Sequence, residues 1–310
     1  MAITRVHTLG GVNIDTKAGA NLFISQVSNV SLDTGIEQII EAGGGEVDAT
    51  FSAIAKQNAK ITFTSSQLAA ILALVGIGGL NVESDVTNDG LEFFFQKIAE
   101  GGTRTAGATH LKLTMNKGML FSRQISADQE KLATVNMEAI ATWDGTNDPF
   151  VIEDNMALEG VAGVNEGFVS GPVKINGVTL EGVQEITIDL GIQEIVINDG
   201  VHASFAAIQS RRPVITIKTT DTVSMSTFGL AGTAQGATDS VIYLRKVAEG
   251  GTRVADATAQ HISFTVDDGM ITVNSVEASD GDIASSEVVI TPTYDGTNAI
   301  LVINTATAII

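Results

Sequence analysis

The 310 residues carry 36 acidic and 17 basic side chains, a formal net charge of −19, with no cysteine, 32 glycines and only 4 prolines. This balance disfavours a protein that grips nucleic acid, which needs clustered Lys and Arg, and the missing thiols exclude both a disulfide framework and thiolate chemistry. The opening MAITRVHTLGG lacks the apolar core of a signal peptide and the longest apolar run, 68–80, is too short for a bilayer, so a soluble chain assembled in a cytoplasm is expected.

Residues 1–20 hold glycines and few apolar positions and read as an N-terminal arm. NLFISQVSNVSL (21–32) has the near-alternation of a strand, and 36–40 carries it on past Gly35. EAGGGE (41–46) then makes a flexible hairpin tip before a second strand at 47–55. A strand at 60–64 leads to Ser65 or Ser66, either of which can cap the helix QLAAILALVG, with Gly76 as its stop. Strands follow at 91–99, 110–115, 119–125, 132–142 and 150–152, joined by the NKG turn at 116–118 and DGTN at 144–147. Residues 154–172, rich in glycine, read as a linker.

Beyond the linker the same signals return in the same order. KIAEGGTR (97–104) comes back as KVAEGGTR (246–253), 246 − 97 = 149 residues on, and TMNKGM and DGTN return 265 − 114 = 151 and 295 − 144 = 151 residues on. Upstream, LDTGIE (32–37) matches IDLGIQ (188–193) at 188 − 32 = 156, and FSAI (51–54) matches FAAI (205–208) at 205 − 51 = 154. The small drift places an indel within 68–90, where the second copy's helix, with Asp221 as cap, is shorter. Two repeats this long are a duplicated domain rather than a solenoid. The expected fold is mainly β: two tandem sandwich- or barrel-like domains at 21–153 and 173–310, each with seven or eight strands and one flanking helix. The hairpin tips differ between copies, EAGGGE in the first against Asn198-Asp199-Gly200, a tight-turn signal, in the second.

Motifs for chemistry are missing. The glycine tip lacks the P-loop lysine and the GxGxxG spacing, and HExxH, GxSxG and CxxC do not occur. His7, His110, His202 and His261 have no ligand spacing, and His110 and His261, matched at 151, read as solvent-facing strand residues. A calcium loop over 85–96 fails because Thr87 fills a ligand slot and Gln96 stands where the bidentate Glu belongs. No catalytic residue, cofactor or metal is expected. Arg104 and Arg253 recur within an acidic background, as partners of interface ion pairs or as turn residues kept by duplication.

The strand, glycine-tipped hairpin, strand and single helix of LDTGIEQIIEAGGGEVDATFSAIAKQNAKITFTSSQLAAIL, with late hairpins and a second copy, resemble the tail tube proteins of long-tailed bacteriophages. The resemblance implies pseudo-sixfold rings, here homotrimers of two-domain chains, that stack into a tube through which double-stranded DNA passes without specific binding. It assigns ring stacking to Glu41, Ala42, Gly43, Gly44, Gly45, Glu46 and Val47 and to Asn198, Asp199 and Gly200. The second tip is shorter and lacks the triple glycine. Asp33, Glu37, Asp189 and Glu194 become candidate lumen-facing acids, and tape measure and tail-end or baseplate proteins the implied partners. The alternatives are a capsid-decorating or adhesin-like pair of sandwiches and a carbohydrate-active enzyme with carboxylates in a cleft.

Overall fold

A computed structural model describes residues 6–15, 21–44, 47–84, 90–98, 107, 109–158, 166–229, 231–235, 239–281 and 283–310. The first half contributes β1 (Val6–Asp15), β2 (Asn21–Ile24), β3 (Val27–Asp33), β4 (Ile36–Glu41), β5 (Phe51–Gln57), β6 (Lys60–Ser65), helix α1 (Leu68–Val75), β7 (Leu80–Glu83), β8 (Leu91–Ile98), β9 (His110–Met115), β10 (Lys117–Asp128), β11 (Thr134–Ala141) and β12 (Val151–Met156). The second contributes β13 (Gly167–Ile175), β14 (Val178–Leu180), β15 (Val183–Asp189), β16 (Ile192–Asp199), β17 (His202–Arg211), β18 (Val214–Thr219), helix α2 (Met225–Phe228), β19 (Thr233–Ala234), β20 (Ser240–Val247), β21 (His261–Val266), β22 (Gly269–Glu277), β23 (Ser285–Pro292) and β24 (Val302–Thr307). The chain is mainly β, as the glycine turns and alternating runs imply. It has more strands than expected because 21–40 is divided into β2, β3 and β4, and because β1, β7 and β19 lie in stretches not read as strands.

The halves repeat in topology. One five-stranded sheet runs β12-β9-β8-β1-β2 and another β24-β21-β20-β13-β14. The ladders repeat at residue level too: β10 bulges against β11 between Ser122 and Gln124, and β22 bulges against β23 between Val273 and Ser275, 151 residues later. Yet the inner sheets are not separate. They fuse into one ten-stranded sheet, β19-β22-β23-β18-β15-β10-β11-β6-β3 with β7 also on β10, through antiparallel pairing of β15 with β10 from Gln124↔Asp189 to Asp128↔Glu185. A single buried cluster spans both halves, including Phe63 and Phe121 of the first and Phe168 and Phe264 of the second. Phe63 meets Phe93 edge-on at 5.5 Å across the layers.

The stretch 1–20 is more than an arm, because β1 lies mid-sheet between β2 and β8. Its alternation is hidden by a bulge between Leu9 and Gly11, and a Cβ on Gly11 would sit 2.5 Å from the Phe23 ring. The linker 154–172 likewise contains the end of β12 and the first six residues of β13.

Two long strand pairs leave the fused sheet as hairpins: β4–β5 from the first half and β16–β17 from the second, joined by one parallel bridge at His202↔Gln57. Each departure is a glycine kink. Gly35 (φ 56°) and Gly191 (φ 54°) are left-handed, their N–H groups donate to the carboxylates of Asp33 and Asp189, and a Cβ on either would lie 2.1 Å from the carbonyl oxygen of Asn58 or Arg212. Gly191→Ala combines a left-handed alanine with that collision and is expected to cost about 2 kcal/mol or more in a urea titration.

Helix α1 ends at Gly76 (φ 57°), whose N–H donates to the Leu72 carbonyl. Its start differs from the expected serine cap. Ser65 accepts from the Gln67 N–H, ahead of the helix, while the Ala69 and Ala70 amides donate to the Glu166 carboxylate from just before β13, at 2.8 and 3.3 Å. In the second half the helix is a single turn, and Asp221 accepts from both the N–H and hydroxyl of Ser224.

Candidate functional site

Strand, hairpin and side-chain charge meet at the joint between the two halves. The bulge in β10 holds Arg123, whose guanidinium binds Glu138 of β11 through Nε at 2.8 Å and Glu194 of β16 through NH2 at 2.9 Å. NH1 donates to the Ile192 carbonyl. Lys60 at the start of β6 completes the node, 2.7 Å from Glu194 and 3.4 Å from Glu138. Two cations and two anions are thus half-buried together, three contributed by the first half and one by the second half's hairpin.

Burial works against the Glu194 charge, but hydrogen bonds from Lys60 and Arg123 outweigh it and hold the carboxyl at about 2, from an ordinary 4.5. A carboxylate with a depressed folded-state pKa contributes stability that is present above its unfolded pKa and lost as pH falls through the folded one. The joint is therefore expected to weaken between pH 4.5 and about 2, and Glu194→Gln to flatten that part of the melting-temperature profile.

The same hairpin seals the first half elsewhere. The Trp143 N–H donates to the Ala203 carbonyl at 2.7 Å and its ring lies 5.8 Å from that of His202. Arg211 donates to the Ile77 carbonyl. A cleft of about 670 Å³ between Ile77, Gly79 and Met119 on one side and Phe205 to Arg211 on the other follows the seam.

Of the acids expected at a lumen, Asp33 and Asp189 cap the glycine kinks, Glu37 pairs with Lys56 at 2.6 Å, and Glu194 belongs to the node. In the first hairpin tip, Glu41, Ala42, Gly43, Gly44 and Val47 are exposed and Gly43 N–H donates to Thr50 Oγ1, while Gly45 and Glu46 lie outside the described residues. Asn198 and Asp199 end β16, and Gly200 (φ 67°) turns the chain directly into β17, as the Asn-Asp-Gly signal implies. Arg253 reaches across the joint, to the amide oxygen of Gln129 at 2.8 Å rather than to a carboxylate, and Arg104 is outside the described residues. The rejected calcium loop, 85–96, lies partly outside them, at 85–89, and among the described residues no group of three or more His, Asp or Glu is placed to hold a metal. No helix there is long and apolar enough to cross a membrane.

The matched histidines overturn the solvent-facing reading. His110 and His261 are buried, and their Nδ1 atoms accept the N–H groups of Lys97 and Lys246 at 3.1 and 3.0 Å, buckling the same two strands in each half. Burial, with His7 and Lys97 nearby, pushes His110 below the usual histidine range. A strand alternates by position, but in a two-layer fold only packing decides which face is covered.

Glu166 is a residue that motif reading had no means to find, since its partners lie nearly a hundred positions away. Burial pushes its carboxyl up while the two helix amides pull it down. Glu166→Ala is expected to cost about 1–2 kcal/mol and to speed hydrogen exchange at Ala69 and Ala70 in particular. In comparisons with known proteins, the chain matches no family model and no curated protein.

Proposed function

We propose that this chain is a self-assembling structural protein that forms the tail tube of a long-tailed bacteriophage, as stacked three-chain rings whose six lobes surround a DNA conduit. The observation that carries the reading is the joint of β15 with β10, because the strands that match them, β3 and β22, have the corresponding edges open among the described residues: β3 ends the fused sheet, and on β22 the strand β19 covers only Met270 and Ile271, leaving Ser275 to Glu277 unpaired on that side. A contact between two different edges is heterologous, and its repetition closes into a ring when the rotation per step divides a full turn. Ring closure also removes open strand edges, which otherwise invite uncontrolled aggregation.

The hairpins supply further support. Ile36, Ile39, Ile40, Phe51 and Ile54 of the first are exposed, a cost a monomer has no reason to carry. In this reading the tips at 41–47 and 198–200 stack successive rings. Repulsion of passing DNA comes from the overall charge of −19 rather than from Glu37 and Glu194, which are neutralised within the chain. The tape measure and tail-end or baseplate partners rest on the resemblance alone.

Negative-stain electron microscopy of concentrated protein near neutral pH, with light scattering on the same sample, tests the proposal. Six-lobed rings at the mass of three chains, or hollow tubes, are the expected result. Isolated monomers at every concentration would overturn it.

A further inference from the structure

We propose that the joint within the chain is the template for the contact between chains: a second copy sets its β3 strand and β4–β5 hairpin against the free β22 edge and second-half surface of the first. This deepens the ring-forming reading and rests on it. It names the partner surface, the register and a device that keeps the two halves in alternating order.

Matched positions in the two halves differ in exposure. Ile125, in the joint, is 1% exposed, whereas Val276, 151 residues on at the free edge, is 54% exposed. Met119 is 7% exposed and its match Met270 47%; Ile192 of the docked hairpin is 6% exposed and its match Ile36, 156 residues back in the undocked one, 42%. Trp143, whose backbone N–H the hairpin holds, is 38% exposed and its match Tyr294 64%. Thus apolar positions covered by the internal joint stay apolar where nothing yet covers them. Duplication alone does not preserve large apolar groups facing water.

The register follows from the internal ladder. Ile125↔Ile188 and Ser126↔Thr187 translate, by adding 151 on one side and subtracting 156 on the other, into Val276 opposite Leu32 and Glu277 opposite Ser31. These pairs belong to different chains.

The node is the one part of the joint that is not copied. Arg123, Lys60 and Glu138 are matched by Asn274, Val214 and Val289, and Glu194 by Gln38, so every charged member has a neutral counterpart. Asn274 occupies the matching bulge and donates to Glu287 at 2.9 Å. Placing Gln38 against Asn274, Val214 and Val289 buries no net charge. Placing Glu194 there brings a further carboxylate beside Glu287, whose cross-strand neighbour Lys218 already pairs with Glu185 at 2.8 Å, and placing Gln38 on the first half leaves two cations facing Glu138 alone. Both wrong pairings carry an unmatched half-buried charge, so the exchange favours first-half hairpin on second-half surface, and the reverse, over either like-on-like contact.

The absence of native cysteine makes the test direct. Ser31 and Glu277 are exposed, so a chain carrying Ser31→Cys and Glu277→Cys keeps its fold. After mild oxidation it is expected to give covalent dimers and trimers on a non-reducing gel, about tenfold more than a chain carrying Ser31→Cys and Ser275→Cys, whose register is displaced by two residues. Gln38→Glu is expected to weaken association about tenfold by bringing an unpaired carboxylate to the neutral node. Equal cross-linking of both pairs, or none in a protein that scattering shows to be oligomeric, overturns the register while leaving the ring reading intact. Unchanged association of Gln38→Glu overturns the alternation device. A native chain that never associates overturns the ring reading itself, and this inference with it.

Discussion

Arg123→Ala is expected to lower the unfolding free energy by about 2–3 kcal/mol, less than breaking a fully buried pair costs, because the node keeps some contact with water. The loss has two sources. Glu138 and Glu194 are left sharing Lys60, with Glu194 keeping only its 2.7 Å contact, and the Ile192 carbonyl loses the donor that fixes the hairpin to the bulge. The informative companion is a fourfold variant, Lys60→Val, Arg123→Asn, Glu138→Val and Glu194→Gln, which installs at the joint the residue types found at its matched positions. Charge removed as a set leaves no orphaned charge, only the Ile192 carbonyl without its guanidinium donor, so stability is expected to return to within about 1 kcal/mol of the native chain. Urea titrations at neutral pH with unchanged slope measure both. No loss in Arg123→Ala would place the pairs among solvent-screened surface contacts, and a fourfold variant as weak as the single one would mean that the guanidinium packs rather than pairs. In the proposed ring, the fourfold variant also loses its preference for alternation and should give irregular assemblies while remaining folded.

How much of this was legible in the sequence depends on the range of the interaction. Signals carried by neighbours were readable: the Asn-Asp-Gly turn at Gly200, the Gly76 stop, the shortened second helix, and DGTN, in which Asp144 and Asp295 accept the same three hydrogen bonds from Thr146 and Asn147 or Thr297 and Asn298. β1 was hidden because a bulge at its glycine pair breaks the two-residue period on which strand reading depends. Burial of His110 and His261 was hidden because which side of a strand is covered is decided by the second layer. The fused sheet and the Glu166 cap join residues far apart in the chain, and no local pattern encodes them. The repeat did hold a readable clue that pairwise matching of motifs passes over. Where two copies agree in apolar pattern but differ together at four charged positions, those positions share a neighbour.

Ile125→Asp and Val276→Asp make the same change at matched positions and are expected to fail in opposite ways. Ile125 is enclosed between β15 and β11, so a carboxylate there loses a buried side chain's transfer energy and has no cation beside it, a cost of about 4 kcal/mol or more and enough to unfold many domains. Val276 faces water in the single chain, and its replacement should change thermal stability by no more than about 0.5 kcal/mol. In the proposed ring, however, Val276 meets Leu32 of the next chain, and an unpaired carboxylate at each contact should weaken it by about 2–3 kcal/mol, or roughly 30- to 150-fold. A closed ring needs every contact at once, so the variant should remain monomeric at concentrations where the native chain assembles. Val276→Thr keeps strand propensity without charge and should assemble nearly as the native chain does. Thermal unfolding and light scattering on the same preparations separate the outcomes. If Val276→Asp assembles normally, the β22 edge is not the contact; if it unfolds, Val276 is held by the chain's own core. Stable monomers from Val276→Asp alongside unfolded Ile125→Asp would mean that one surface serves as core within the chain and as interface between chains.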